Sequence, residues 1–155
     1  MRLLLAATLA LSIAGPAMAQ NVTVSAGTEL ADKIDEYGAR DVDRLLARLD
    51  DQAEAALARS PYAGARLELV VDDAVPNRPT FEQLADRPGL SMDSIGIGIG
   101  GAEVSGQLVM PDGARIPVSY RWFETSLAHT FAAATWSDAE RAFRRFCRNL
   151  EAGRY

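Results

Sequence analysis

Between Asp41 and Arg59 the apolar residues Val42, Leu45, Leu46, Leu49, Ala53, Ala56 and Leu57 recur at offsets of 0, 3, 4, 7, 11, 14 and 15. This spacing keeps them on one stripe of a helix with about 3.6 residues per turn and leaves Arg44, Arg48, Asp51 and Glu54 off it. A helix with one apolar stripe must bury that stripe against another element, so the rest of the chain has to supply a complementary surface. Asp41 is the expected N-cap. Ser60-Pro61 ends the helix, because proline disfavours helical backbone in the residue before it.

The surface is expected from strands. Leu67, Leu69 and Val71 alternate with Glu68, Val70 and Asp72, which reads as a strand with one buried face. Val22-Thr23-Val24 is a short strand candidate, and Leu30, Ile34 and Tyr37 fall at helical spacing between Thr28 and Tyr37. Ile95, Ile97 and Ile99 occupy odd positions, whereas Ala102, Val104, Gly106, Leu108 and Met110 occupy even ones. A switch of parity needs an extra residue in the ladder, so a bulge or strand break is expected at Gly100-Gly101. Pro111-Asp112-Gly113 is a turn, followed by Ile116, Val118, Tyr120 and Trp122 at alternate positions; Pro117 marks an edge strand. Trp122 shares the core parity, so Phe123 points to the opposite face and is expected exposed.

Ser137-Asp138-Ala139-Glu140 has the form of a capping box, and the helix behind it carries Ala139, Ala142, Phe143, Phe146, Cys147 and Leu150 on one face. The order is strand, helix, strand, long loop, hairpin, helix. The fold expected is α+β: a two-layer sandwich with a three- to four-stranded, mainly antiparallel sheet and two amphipathic helices on one face.

The first nineteen residues read as an export signal. Arg2 precedes an eleven-residue run from Leu3 to Ile13, apolar except for Thr8 and Ser12; Gly15-Pro16 breaks any helix, and Ala17-Met18-Ala19 places small residues before Gln20. The run is shorter than the roughly 20 apolar residues that a membrane span needs. A lipoprotein signal would put cysteine where Gln20 stands. The expectation is therefore a cleaved signal peptide over residues 1–19 and one domain over residues 20–155, periplasmic or alternatively secreted, with no transmembrane anchor. The whole chain has a formal charge of −5, and loss of Arg2 with the leader takes it one further negative, which argues against nucleic acid as a partner. Cys147 is the sole cysteine, so no internal disulfide forms.

In layout the chain resembles a class of small periplasmic proteobacterial proteins that share no agreed activity. The segments that carry the likeness are the leader, the helix, Leu67-Glu68-Leu69-Val70-Val71-Asp72-Asp73, Asn77-Arg78-Pro79-Thr80, Gly100-Gly101-Ala102 and Trp136-Ser137-Asp138-Ala139. The resemblance implies a fold and a compartment and brings no catalytic residue with it.

The residues exclude more chemistry than they support. Gly96-Ile97-Gly98-Ile99-Gly100-Gly101 is followed by a strand pattern and not by a helix, and Lys33 is far from it, so it lacks the context of a dinucleotide or phosphate loop. His129 is the single histidine, and no Gly-x-Ser-x-Gly elbow supplies a nucleophile for it. Cys147 follows Phe146 on an apolar helix face and reads as core. One His and one Cys make a zinc site unfavourable, and Asp72-Asp73 with Asn77, or Asp86 with Asp93, lack the spacing of a calcium loop. No catalytic residue, metal or cofactor is expected. Glu68, Asp72, Glu103 and Glu124 are the strand carboxylates that a glycosidase could pair across a cleft.

The candidate contact surface is the irregular stretch from Ala74 to Met92 together with the glycine-bare strand beside it. Asn77, Arg78 and Thr80 are its polar contacts, with Asp72 and Asp73 orienting Arg78 toward a ligand, an envelope protein or a peptide. A second candidate is an anion-binding face made by Arg141, Arg144, Arg145 and Arg148 on the last helix. The function expected is a non-enzymatic binding or accessory module of the cell envelope. The alternatives are a small hydrolase using carboxylates or His129, and an oligomer formed through an exposed strand edge.

Overall fold

The computed structural model describes residues 21–87, 98–129 and 134–154. The expected signal segment over residues 1–19 and the Ile95-Gly96-Ile97 alternation lie outside the described residues. Four strands form one sheet in the order β1 (Val22–Ala26), β2 (Arg66–Val75), β3 (Gly101–Val109) and β4 (Arg115–Phe123). β1 runs parallel to β2, and the other two pairings are antiparallel. The β1–β2 connection carries α1 (Thr28–Ala31), α2 (Ile34–Tyr37) and α3 (Ala39–Arg59); α4 (Phe81–Ala85) and α5 (Ser137–Glu151) follow β2 and β4. The fold is thus α+β, with α3 and α5 packed side by side, α3 over β1 and α5 over β3 and β4.

Periodicity explains the core. Val42, Leu45, Leu49, Ala53, Ala56 and Leu57 of α3 are buried, as are Ala139, Ala142, Phe143, Phe146, Cys147 and Leu150 of α5. Facing them are Leu67, Leu69, Val71 and Ala74 of β2 and Ala102, Val104 and Leu108 of β3. The step from Val71 to Ala74 breaks the two-residue period because the β2–β3 register shifts between Val71 and Asp73. The bulge therefore lies at Asp72, while Gly100-Gly101 is where β3 begins; Gly98, Ile99 and Gly100 are not strand. Pro117 sits on β4, an edge strand, as its missing N–H requires.

Three local expectations differ from the structure. The Thr28–Tyr37 segment is two short helices, and the α3 N-cap is Gly38 at φ +85°, with Asp41 inside the first turn. α5 has no side-chain cap: Ser137 Oγ accepts from the Ala134 amide at 2.7 Å, and Glu140 is drawn 3.2 Å from Arg48 of α3. The capping box forms at α4 instead. There Thr80 Oγ1 accepts from the Gln83 amide and Gln83 Oε1 accepts from the Thr80 amide.

Gly106 pairs with Leu69 on one side and Val118 on the other. A Cβ there would overlap the Glu68 carbonyl oxygen and lie 3.0 Å from Leu69 Cα, both backbone atoms held in the ladder. Gly106→Ala is expected to destabilise the fold by about 2 kcal/mol, read as a lower urea midpoint.

Candidate functional site

The segment joining β2 to α4 was expected to present its polar side chains outward, and it divides them. Asn77 is only 1% exposed. Its amide nitrogen donates to Asp138 Oδ2 at 2.5 Å and to the Gly98 carbonyl at 3.0 Å, and its Oδ1 accepts from the Asp138 amide at 2.8 Å. Its backbone N–H donates to Thr135 O, and its carbonyl accepts from Gly98 N. Asn77 is thus a clasp joining the β2–α4 connection, the approach to β3 and the first turn of α5. Thr80 is likewise buried, spent on the α4 box.

Asp138 is the other half of the clasp. It is 1% exposed, and its Oδ2 also accepts from the Gly100 amide at 3.2 Å. Its Oδ1 lies 3.2 Å from Arg141 Nη1, close enough for charge attraction, although the contact does not have hydrogen-bond geometry. A buried carboxylate needs such partners, since an uncompensated buried charge costs several kcal/mol.

Asp72 and Asp73 do not converge on a ligand. Asp72 occupies the bulge, and Asp73 accepts from Lys33 Nζ at 2.6 Å. Burial pulls the Lys33 ammonium down, but the Asp73 hydrogen bond and charge outweigh it and leave the group above its ordinary value. Asp73 stands opposite Glu103 in the ladder, and Arg121 sits 2.9 Å from Glu103. Each of these two carboxylates is therefore met by a cation.

Of the five predicted contact residues, Asn77 and Arg78 line a cleft. The cleft has a volume of about 380 Å³ and is walled by Tyr37, Val75, Pro76 and Pro79, with Arg78, Arg87 and Glu36 as its charged groups. Its floor is fixed. Asn77 lies beneath it on the clasp, Tyr37 packs edge-on to Trp136 at 5.6 Å, and Gln83 ties α4 to Glu36 of α2 at 2.7 Å. Sequence reading missed Arg87, Tyr37 and Glu36, which reach the cleft from α2 and from the end of α4.

The arginines of α5 lie along one stripe of the helix, at offsets 0, 3, 4 and 7, but their side chains engage different neighbours. Arg141 and Arg145 lean onto β4, their guanidinium carbons 5.5 and 4.2 Å from the centre of the Trp122 ring. Arg144 pairs loosely with Glu140, and both Arg144 and Arg148 line a separate hollow against α3 with Arg59 and Cys147. Burial pushes the Cys147 thiol up to about 12, so it is un-ionised at neutral pH. Phe123 is half-buried beneath Arg121.

Beside Trp122 is the one bonded carboxylate–histidine pair among the described candidates. Glu124 Oε1 accepts from the Thr125 and Ser126 amides at 2.9 and 3.1 Å and lies 3.2 Å from His129 Nδ1; its Oε2 faces Arg141 at 3.3 Å. The Thr125 amide, then His129 and the Ser126 amide, hold the Glu124 carboxyl below its ordinary value against the opposing effect of burial. A carboxyl whose folded value is depressed contributes stability above its unfolded value and loses it as pH falls through the folded one. Glu124→Gln is therefore expected to destabilise the protein at neutral pH, with the gap to wild type closing as pH drops below about 4.5 in denaturation curves. The His129 side chain is 66% exposed.

Among the described residues, no group of three or more His, Cys, Asp or Glu is placed to hold a metal ion, and no helix is long and apolar enough to cross a membrane. The chain matches no protein-family model, and no curated protein or solved structure matches it.

Proposed function

We propose that this chain is an exported, non-enzymatic accessory module of the cell envelope that binds a ligand or peptide in the cleft beside Pro76–Thr80. The observation that carries the reading is the division of labour in that segment. Asn77 and Thr80 are buried in the scaffold, and Arg78 lines a cleft to which Asn77 also contributes. A rigid scaffold beneath a few polar groups is what a preformed binding site requires. Export is supported by the leader pattern alone.

Two measurements test the proposal. Cell fractionation with intact-mass analysis should find a chain beginning at Gln20 in the periplasmic fraction; a cytosolic chain that retains Met1 and Arg2 would contradict it. Equilibrium dialysis against the small-molecule fraction of an envelope extract should enrich a solute on the wild-type protein. The Arg78→Ala, Arg87→Ala double variant should not enrich it, and equal enrichment by the two would remove the cleft from the account.

A second reading is favoured by one contact. Glu124 Oε1 lies 3.2 Å from His129 Nδ1, and the imidazole is exposed to solvent. If the protein were a His-dependent hydrolase, His129→Ala would abolish turnover of a chromogenic ester by the wild type. The binding reading predicts background rates from both proteins.

A further inference from the structure

We propose that Arg141 is a switch shared by two buried carboxylates, Glu124 and Asp138, and that a proton on His129 moves it toward Asp138 and tightens the clasp. Arg141 Nη1 donates a hydrogen bond to Glu124 Oε2 at 3.3 Å and stands 3.2 Å from Asp138 Oδ1 without hydrogen-bond geometry. One nitrogen thus faces two acceptors at nearly the same distance and bonds one of them. Asp138 Oδ1 is left buried, with no donor among the described residues. Glu124 and Asp138 are 7% and 1% exposed, so neither carboxylate can turn to water instead. Two buried negative charges share one guanidinium. The charge still missing is the one that a His129 imidazolium would bring, 3.2 Å from Glu124 Oε1.

The charged groups that meet here are Glu124 of the β4–α5 connection and Asp138 and Arg141 of α5, with Arg145 of α5 beyond them on Trp122. With His129 neutral, Arg141 is the one cation on Glu124 among the described residues, and it stays there. With His129 protonated, Glu124 has a second cation on Oε1, while Asp138 still has Arg141 alone. The guanidinium then gains more from Asp138, and this difference between the two positions is what moves the equilibrium. Histidine is the side chain that changes charge between about pH 5 and 8, and this imidazole is open to solvent protons. Asp138 Oδ2 holds the Asn77 side chain and the Gly100 amide. A donor gained at Oδ1 therefore strengthens the clasp beneath the cleft, whatever the cleft binds.

The test is hydrogen exchange of the Gly100 amide in the ¹⁵N-labelled chain at about pH 5.5 and about pH 8, both above the ordinary carboxylate range. Its protection factor is divided by that of the Leu67 amide, which donates to Asn21 O at the opposite end of the sheet. In the wild type this ratio should be about threefold higher at the lower pH. The dependence should vanish in His129→Gln, a change at an exposed side chain, and in Arg141→Gln, which keeps His129 and Glu124. No dependence in the wild type, or one of equal size in His129→Gln, would overturn the switch. A dependence that survives in Arg141→Gln would also overturn it, because the proton would then reach the clasp without the guanidinium. If Arg141→Gln does not fold, the wild type and His129→Gln decide the matter between them.

Discussion

Phe143→Ala is expected to lower stability by about 4 kcal/mol, the largest single loss in this fold. Phe143 is 0% exposed and heads the fully buried side chains by volume. It lies on α5, the helix that packs against α3, β3 and β4 together. On β3, which α5 packs against, Ala102 and Val104 are too short to fill the space. A domain of this size holds about 5–15 kcal/mol, so the substitution removes a large share of it. The expected reading is a urea midpoint that falls with an unchanged slope. A loss below about 2 kcal/mol would mean that the layers close over the gap.

Asn77→Ala should cost about 3 kcal/mol, an unusual penalty for removing a polar side chain from a connecting segment. The substitution strips Asp138 Oδ2 of its 2.5 Å donor, leaves the Asp138 amide and the Gly98 carbonyl unanswered, and keeps a carboxylate buried. The residue offers no comparable apolar burial in return. A fall in Tm of about 10 °C is the expected readout. Arg87→Ala, at an exposed residue of the same cleft, should stay within about 0.5 kcal/mol of wild type. The pair of variants separates scaffold from binding surface.

What the sequence reveals follows from the range of each signal. The α3 and α5 stripes and the alternation in β2, β3 and β4 are local, and the burial of Leu45, Leu49, Phe143 and Phe146 follows directly from them. The cap at α5 misleads because Ser137-x-x-Glu140 is only a local pattern. Tertiary partners, the turn at Ala134 and Arg48 of α3, take both side chains. The same rule applied to Thr80-x-x-Gln83 would have located the real box. The bulge at Asp72 leaves no glycine to announce it. The clasp joins residues 61 positions apart, and neither Asn77 nor Asp138 carries any mark of the other in its neighbourhood. A polar residue in a proline-rich connection is ordinarily solvated, and only the return of α5 buries this one.

The clasp is the claim on which the cleft and its proposed use stand, and a double-mutant cycle on Asn77→Ala and Asp138→Ala measures it directly. If the two side chains hold one another, the losses will be non-additive, with an interaction energy of about 2 kcal/mol. If the losses add to within about 0.5 kcal/mol, the two residues act independently and the clasp does not hold the cleft together.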